Sequence, residues 1–146
     1  MPTTSPWSSR SRSDGMTGPR ILIVDDDAFI RRPLEVLLRR EGFEIDLAGD
    51  GEACLAAMEQ ARPDLVCMDI MMPGLDGFSA CEEIRRRPHL AGTPVIFLSA
   101  KGQDADIVRG TTLGAAGFVA KPYSPAELVR KIREVLAVDT AHGGNE

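Results

Sequence analysis

From residue 20 onward, short apolar runs alternate with stretches in which apolar residues recur every three or four positions. The runs at 21–24, 44–47, 65–68, 94–98 and 117–120 have strand length, and the stretches at 28–40, 51–61, 76–86, 104–113 and 125–138 carry helical spacing. Local signals agree with these boundaries. Asp27 and Asp50 stand where side-chain oxygens cap helix starts, and Ser124-Pro125 puts a cap before a first-turn proline. Gly42 ends the first helix, Met72-Pro73-Gly74 makes a loop, and Pro88 and Gly92 mark another turn. Pro33 falls early in the first helix, where a missing N–H is best tolerated. That helix should bury Phe29, Ile30, Leu34, Leu37 and Leu38, and the last one Leu128, Val129, Ile132, Val135 and Leu136.

Strict alternation of strands and helices predicts an α/β fold, a parallel sheet covered on both faces. Right-handed crossovers leave few arrangements, and the doubly wound order 2-1-3-4-5 is the common one for five strands. Strand one then lies between strands two and three. Its carboxyl end carries Asp25-Asp26-Asp27, and that of strand three carries Asp69, so the acids converge at the topological switch point where ligands bind. Strand four ends in Ser99-Ala100 and strand five in Lys121-Pro122 on the same rim.

Composition narrows the field. With 146 residues the chain suits one domain, and 43% hydrophobic residues supply a real core. Residues 1–18 are rich in Ser, Pro, Thr and Gly, hold the sole tryptophan, Trp7, and read as a disordered tail; 139–146 read as a flexible end around a folded unit at 19–138. A net charge of -5 argues against direct nucleic-acid binding, and no apolar run reaches the ~18 residues of a membrane span. Cys54, Cys67 and Cys81 form no CxxC pair and read as small core residues.

The rim carries the chemistry. Two carboxylates ~4 Å apart repel by roughly 4 kcal/mol at an effective dielectric of 20. One must keep its proton, or a cation must enter. Oxygen donors without His or Cys favour a hard ion such as Mg²⁺ or Mn²⁺. A carboxylate between that ion and the Lys121 ammonium is placed to attack a phosphoryl group, and Ser99 could hydrogen-bond the product.

The segments Ile21-Leu22-Ile23-Val24-Asp25-Asp26-Asp27, Met68-Asp69-Ile70-Met71-Met72-Pro73-Gly74-Leu75-Asp76-Gly77, Leu98-Ser99-Ala100 and Lys121-Pro122, in this order and spacing, resemble the receiver domains of bacterial two-component response regulators. The resemblance runs from about residue 19 to 138 and implies a flavodoxin-like fold. It implies that Asp69 is the phosphoacceptor, charged from a histidine kinase or histidine phosphotransfer protein. Asp26 would ligate the metal directly, Asp25 largely through water, and the Met71 carbonyl would complete the protein's share. Ser99 and Phe118 would form the switch pair, Lys121 would pair with the phosphate, and Lys121-Pro122 would be cis. Ala100 would leave the acceptor open. A bacterial cytoplasmic protein is implied.

Met71 offers no polar side chain, and Lys101 no carboxamide or carboxylate, to orient an attacking water, so loss of the phosphoryl group should be slow. Nothing after residue 138 is long enough for an output domain, which implies a stand-alone or excised receiver. Its output would pass through helix four, strand five and helix five, to an effector or a second copy, on a side made basic by Arg109, Arg130, Lys131 and Arg133. Two other readings use the same fold. An aspartate-nucleophile phosphatase needs a second acid two residues after the nucleophile, and Met71 stands there. A nucleotide or flavin module needs a glycine loop after strand one, and aspartates stand there. Asp76 reads as a helix-start acid, and His89 and His142 are assigned no role.

Overall fold

The computed structural model describes the backbone at residues 18–100 and 104–144, and the side chains at 18–99 and 105–137. The expected tail, Trp7 and Lys101 lie outside these residues. Five strands, β1 (Arg20–Val24), β2 (Glu44–Ala48), β3 (Leu65–Asp69), β4 (Val95–Ala100) and β5 (Gly117–Lys121), form one parallel sheet in the order β2-β1-β3-β4-β5. Helices α1 (Ala28–Arg40), α2 (Gly51–Gln60), α3 (Gly77–Arg86), α4 (Asp104–Thr112) and α5 (Pro125–Gly144) alternate with them. The expected topology is the observed one.

Period-two alternation divides the strands between two cores. Ile21, Ile23, Leu65, Cys67, Ile96, Leu98 and Val119 face α1 and α5, and meet Leu34, Leu38, Leu128 and Ile132. Leu22, Val24, Val66, Met68, Val95 and Phe97 face the other way, onto Cys54, Met58, Phe78 and Ile84 of α2 and α3. All three cysteines are free and buried, as core residues should be.

The predicted caps form. Asp27 accepts from the Phe29 amide at 2.9 Å, Asp50 from Ala53 at 2.8 Å and Asp76 from Ser79 at 2.8 Å. Ser124 and Glu127 close a capping box, with bonds of 2.8 and 3.1 Å.

Three expectations need correction. Phe29 is 89% exposed and Ile30 is also at the surface, so α1 buries chiefly Leu34 and Leu38. α5 runs to Gly144 rather than ending near the expected 138, because no helix-breaking residue intervenes before Gly143. Arg133 is turned away from the β5 side: it pairs with Glu41 at 2.7 Å, just past α1, and lies over the Phe43 ring at 5.2 Å.

Arg85 holds the far end of the sheet together. Its guanidinium donates to the carbonyls of Ala91 and Thr93 (each 2.8 Å), Leu113 (2.9 Å) and Gly114 (3.2 Å), joining α3 to the β4 entry and to the turn after α4.

Candidate functional site

Alternation continues past the last apolar residue of each strand. Asp25 follows Ile21 and Ile23, Asp69 follows Leu65 and Cys67, and Lys121 follows Val119, so all three emerge on the α1/α5 side of the rim. Phe118 and Ser99 follow the opposite alternation, with Ser99 next to Phe97 on β4. The site therefore straddles the edge of the sheet.

Asp25 and Asp69 are buried (1% and 5% exposed) and Asp26 is exposed. One carboxylate oxygen from each of the three lies within 4.8 Å of the others. Lys121 Nζ stands 3.1 Å from Asp69 Oδ2 and 3.6 Å from Asp25 Oδ2. Asp25 Oδ1 accepts from the Asp27 amide at 2.9 Å, while Oδ2 is buried with no hydrogen-bond partner among the described residues. Asp69 Oδ1 accepts from the Met71 amide at a long 3.4 Å. Burial raises the Asp69 pKa above the ordinary carboxylate value; Lys121 opposes the rise and Asp25 adds to it.

These residues fit a hard divalent cation. The donors are all oxygens, two of the carboxylates are withdrawn from bulk water, and a buried carboxylate oxygen lacks a donor. Asp25, Asp26 and Asp69 would hold the ion.

Ser99 is buried beside the strand that carries Asp69: Asp69 pairs with Leu98, and Ser99 with Ala120. Phe118 packs into the α2/α3 core, 6.0 Å from Phe97, which lies 5.1 Å from Phe78. Its ring fits because Gly110 of α4 has no side chain; a Cβ there would come within 2.6 Å of it. Lys121-Pro122 is cis.

A family model for the response regulator receiver domain matches residues 21–133. The chain belongs to the response regulator receiver family. Among curated relatives of the receiver, the DNA-binding response regulator MtrA of Mycobacterium tuberculosis is 42% identical over 117 residues, which is 80% of this chain and 50% of that protein. The probable transcriptional regulator ycf27 of Guillardia theta is 47% identical over 120 residues, 82% of this chain and 46% of that one. The chain thus spans about half the length of the curated relatives it matches. Among solved structures, a putative response regulator from Chloroflexus aurantiacus superimposes with a TM-score of 0.78 at 35% identity, covering 83% of this chain and 99% of that one. The chemotaxis response regulator CheY4 of Vibrio cholerae gives 0.77 at 30% identity, with 82% and 99% covered. The matched region is a receiver, a signalling domain.

Two residues that shape the receiver's rim, Arg31 and Tyr123, carried no signal legible to sequence reasoning, and Gly77 was legible only as the last residue of the family segment. Gly77 opens α3 against the loop that follows Asp69: its amide donates to the Ile70 carbonyl at 2.9 Å, and a Cβ would fall onto the Asp69 carbonyl oxygen. Arg31 reaches from α1 to the Asp25 carbonyl at 2.6 Å. Tyr123 places a buried hydroxyl near the acids without a hydrogen-bond partner among the described residues. Arginines and glycines are too common for their spacing alone to single them out.

Proposed function

We propose that Asp69 is the phosphoacceptor of this receiver, working with Asp25, Asp26 and Lys121 around a Mg²⁺ or Mn²⁺ ion. The carrying observation is the Lys121 ammonium, 3.1 Å from Asp69 and 3.6 Å from Asp25, opposite a carboxylate cluster no wider than 4.8 Å. An Asp69 oxygen attacks the phosphorus of a phosphohistidine; the P–N bond breaks and its electron pair leaves with the imidazole. Asp69 must be ionised to attack, and Lys121 favours that state against the effect of burial. A bound divalent ion would supply charge neutralisation for the phosphoryl oxygens during transfer. Lys121 then keeps company with the phosphate, and the Ser99 hydroxyl offers it a hydrogen bond. The Met71 carbonyl would serve as a further oxygen ligand.

A histidine kinase or phosphotransfer protein fits the surface beside the site. A cavity of about 500 Å³, lined by Phe29, Ile30, Pro33, Leu34, Pro122 and Tyr123, borders Lys121 and offers an apolar seat for a donor helix. Output through α4, β5 and α5, to an effector or a second copy, follows if Phe118 responds to Ser99. The exposed Met71 side chain carries no acid, which disfavours an aspartate phosphatase. Label transferred from acetyl phosphate in Mg²⁺ buffer should be retained by the wild type and absent from Asp69→Asn. Equal labelling of both proteins would refute the assignment.

A further inference from the structure

Asp26 is the exposed member of the acid cluster, and it sits in neither β1 nor α1. Its direction therefore depends on how its neighbours are held. Asp27 is anchored from the helix side: its carbonyl accepts from Ile30 and Arg31 at 3.0 and 3.1 Å, and its side chain caps α1. Asp25 is anchored from the β2 side. Its amide donates to the Ala48 carbonyl at 3.1 Å, and its carbonyl accepts from Arg31 Nη1 at 2.6 Å. That carbonyl belongs to the Asp25–Asp26 peptide, so the guanidinium sets the plane from which Asp26 departs. Gly49, just past β2, gives Arg31 its room: a Cβ there would lie 3.3 Å from Nη1.

We infer that Arg31 is a positioning residue for the metal site, aiming Asp26 by clamping the Asp25–Asp26 peptide. The inference rests on the proposed role of the acid cluster. It predicts a sign that simple electrostatics reverses. A cation beside a cation site weakens binding, so removing it should tighten binding if charge were its whole contribution. If Arg31 orients a ligand, removing it loosens binding, by about tenfold on the scale set by lost supports of metal ligands.

Titration calorimetry with Mg²⁺ alone separates the two, using wild type, Asp26→Asn, Arg31→Met and Arg31→Lys. Methionine keeps the apolar stem and helix propensity; lysine keeps the charge and one donor. The expected order of affinity is wild type, then Arg31→Lys, then Arg31→Met, with melting temperatures in EDTA close to wild type for both Arg31 variants. Unchanged or tighter binding in Arg31→Met overturns the inference. Should Arg31→Met fail to fold, Arg31→Lys decides alone: weaker binding supports the clamp, and wild-type affinity overturns it. If the wild type binds no Mg²⁺, or Asp26→Asn binds as well as wild type, the proposed metal site itself falls.

Discussion

Replacing Lys121 by Gln should move stability and metal affinity in opposite directions. At 3.1 and 3.6 Å the ammonium's gross attraction to each buried carboxylate is about 5 kcal/mol at an effective dielectric of 20. The lysine side chain is 33% exposed, so solvent screening and lost side-chain freedom reduce the net contribution to about 2 kcal/mol. Without it, carboxylates within 4.8 Å repel by at least about 3.5 kcal/mol per pair at the same dielectric. For a chain of this length, a loss of about 2 kcal/mol lowers Tm by about 6–8 °C. Mg²⁺, meanwhile, no longer competes with a resident cation and should bind several-fold more tightly. Melting in EDTA and in Mg²⁺ at pH 8, together with titration calorimetry, gives both quantities. A metal-free Tm at or above wild type, or unchanged Mg²⁺ affinity, would refute the electrostatic account of the pocket. The contrast with Arg31, whose removal should weaken Mg²⁺ binding, makes the pair a stringent test: one cation occupies the site and the other orients it.

Asp69→Asn should raise the metal-free Tm at pH 7, because it removes a charge that burial disfavours. An acid whose folded pKa is raised binds its proton more readily in the fold than in the unfolded chain. Its destabilising ionisation is therefore relieved as pH falls through the folded value towards 3.8, and the Tm gap between the Asp69→Asn variant and wild type should close over that window; a gap independent of pH would contradict the burial argument. Gly77→Ala should lower stability by about 2 kcal/mol and slow acetyl phosphate labelling, since the new methyl meets backbone, including Ile70 Cα at 2.9 Å. Wild-type labelling and wild-type urea midpoint in that variant would show that the loop after Asp69 moves freely.

The chain's periodicity specified an alternating parallel α/β sheet, and crossover handedness with the commonest five-stranded order supplied the rest. Apolar runs of strand length, alternating with capped amphipathic helices, have one economical arrangement, and it places Asp25, Asp26, Asp69 and Lys121 on one rim. The site was legible because its residues end strands, where a polar residue after an apolar run is conspicuous. Helix faces were less so. Phe29 and Ile30 have the spacing of core residues, yet both lie at the surface. The same limit applied to Arg133: a cation on α5 has a face only once α1 lies beside it. What tertiary structure alone decided was which backbone groups need support. Arg31 clamping a carbonyl, Arg85 joining three segments, Gly77 and Gly110 leaving space for a peptide and a ring are all relations between distant segments. Hydrophobic alternation is a local property and survives in one dimension; hydrogen bonds to a particular carbonyl and the absence of a methyl acquire meaning only when the sheet has brought their partners within reach.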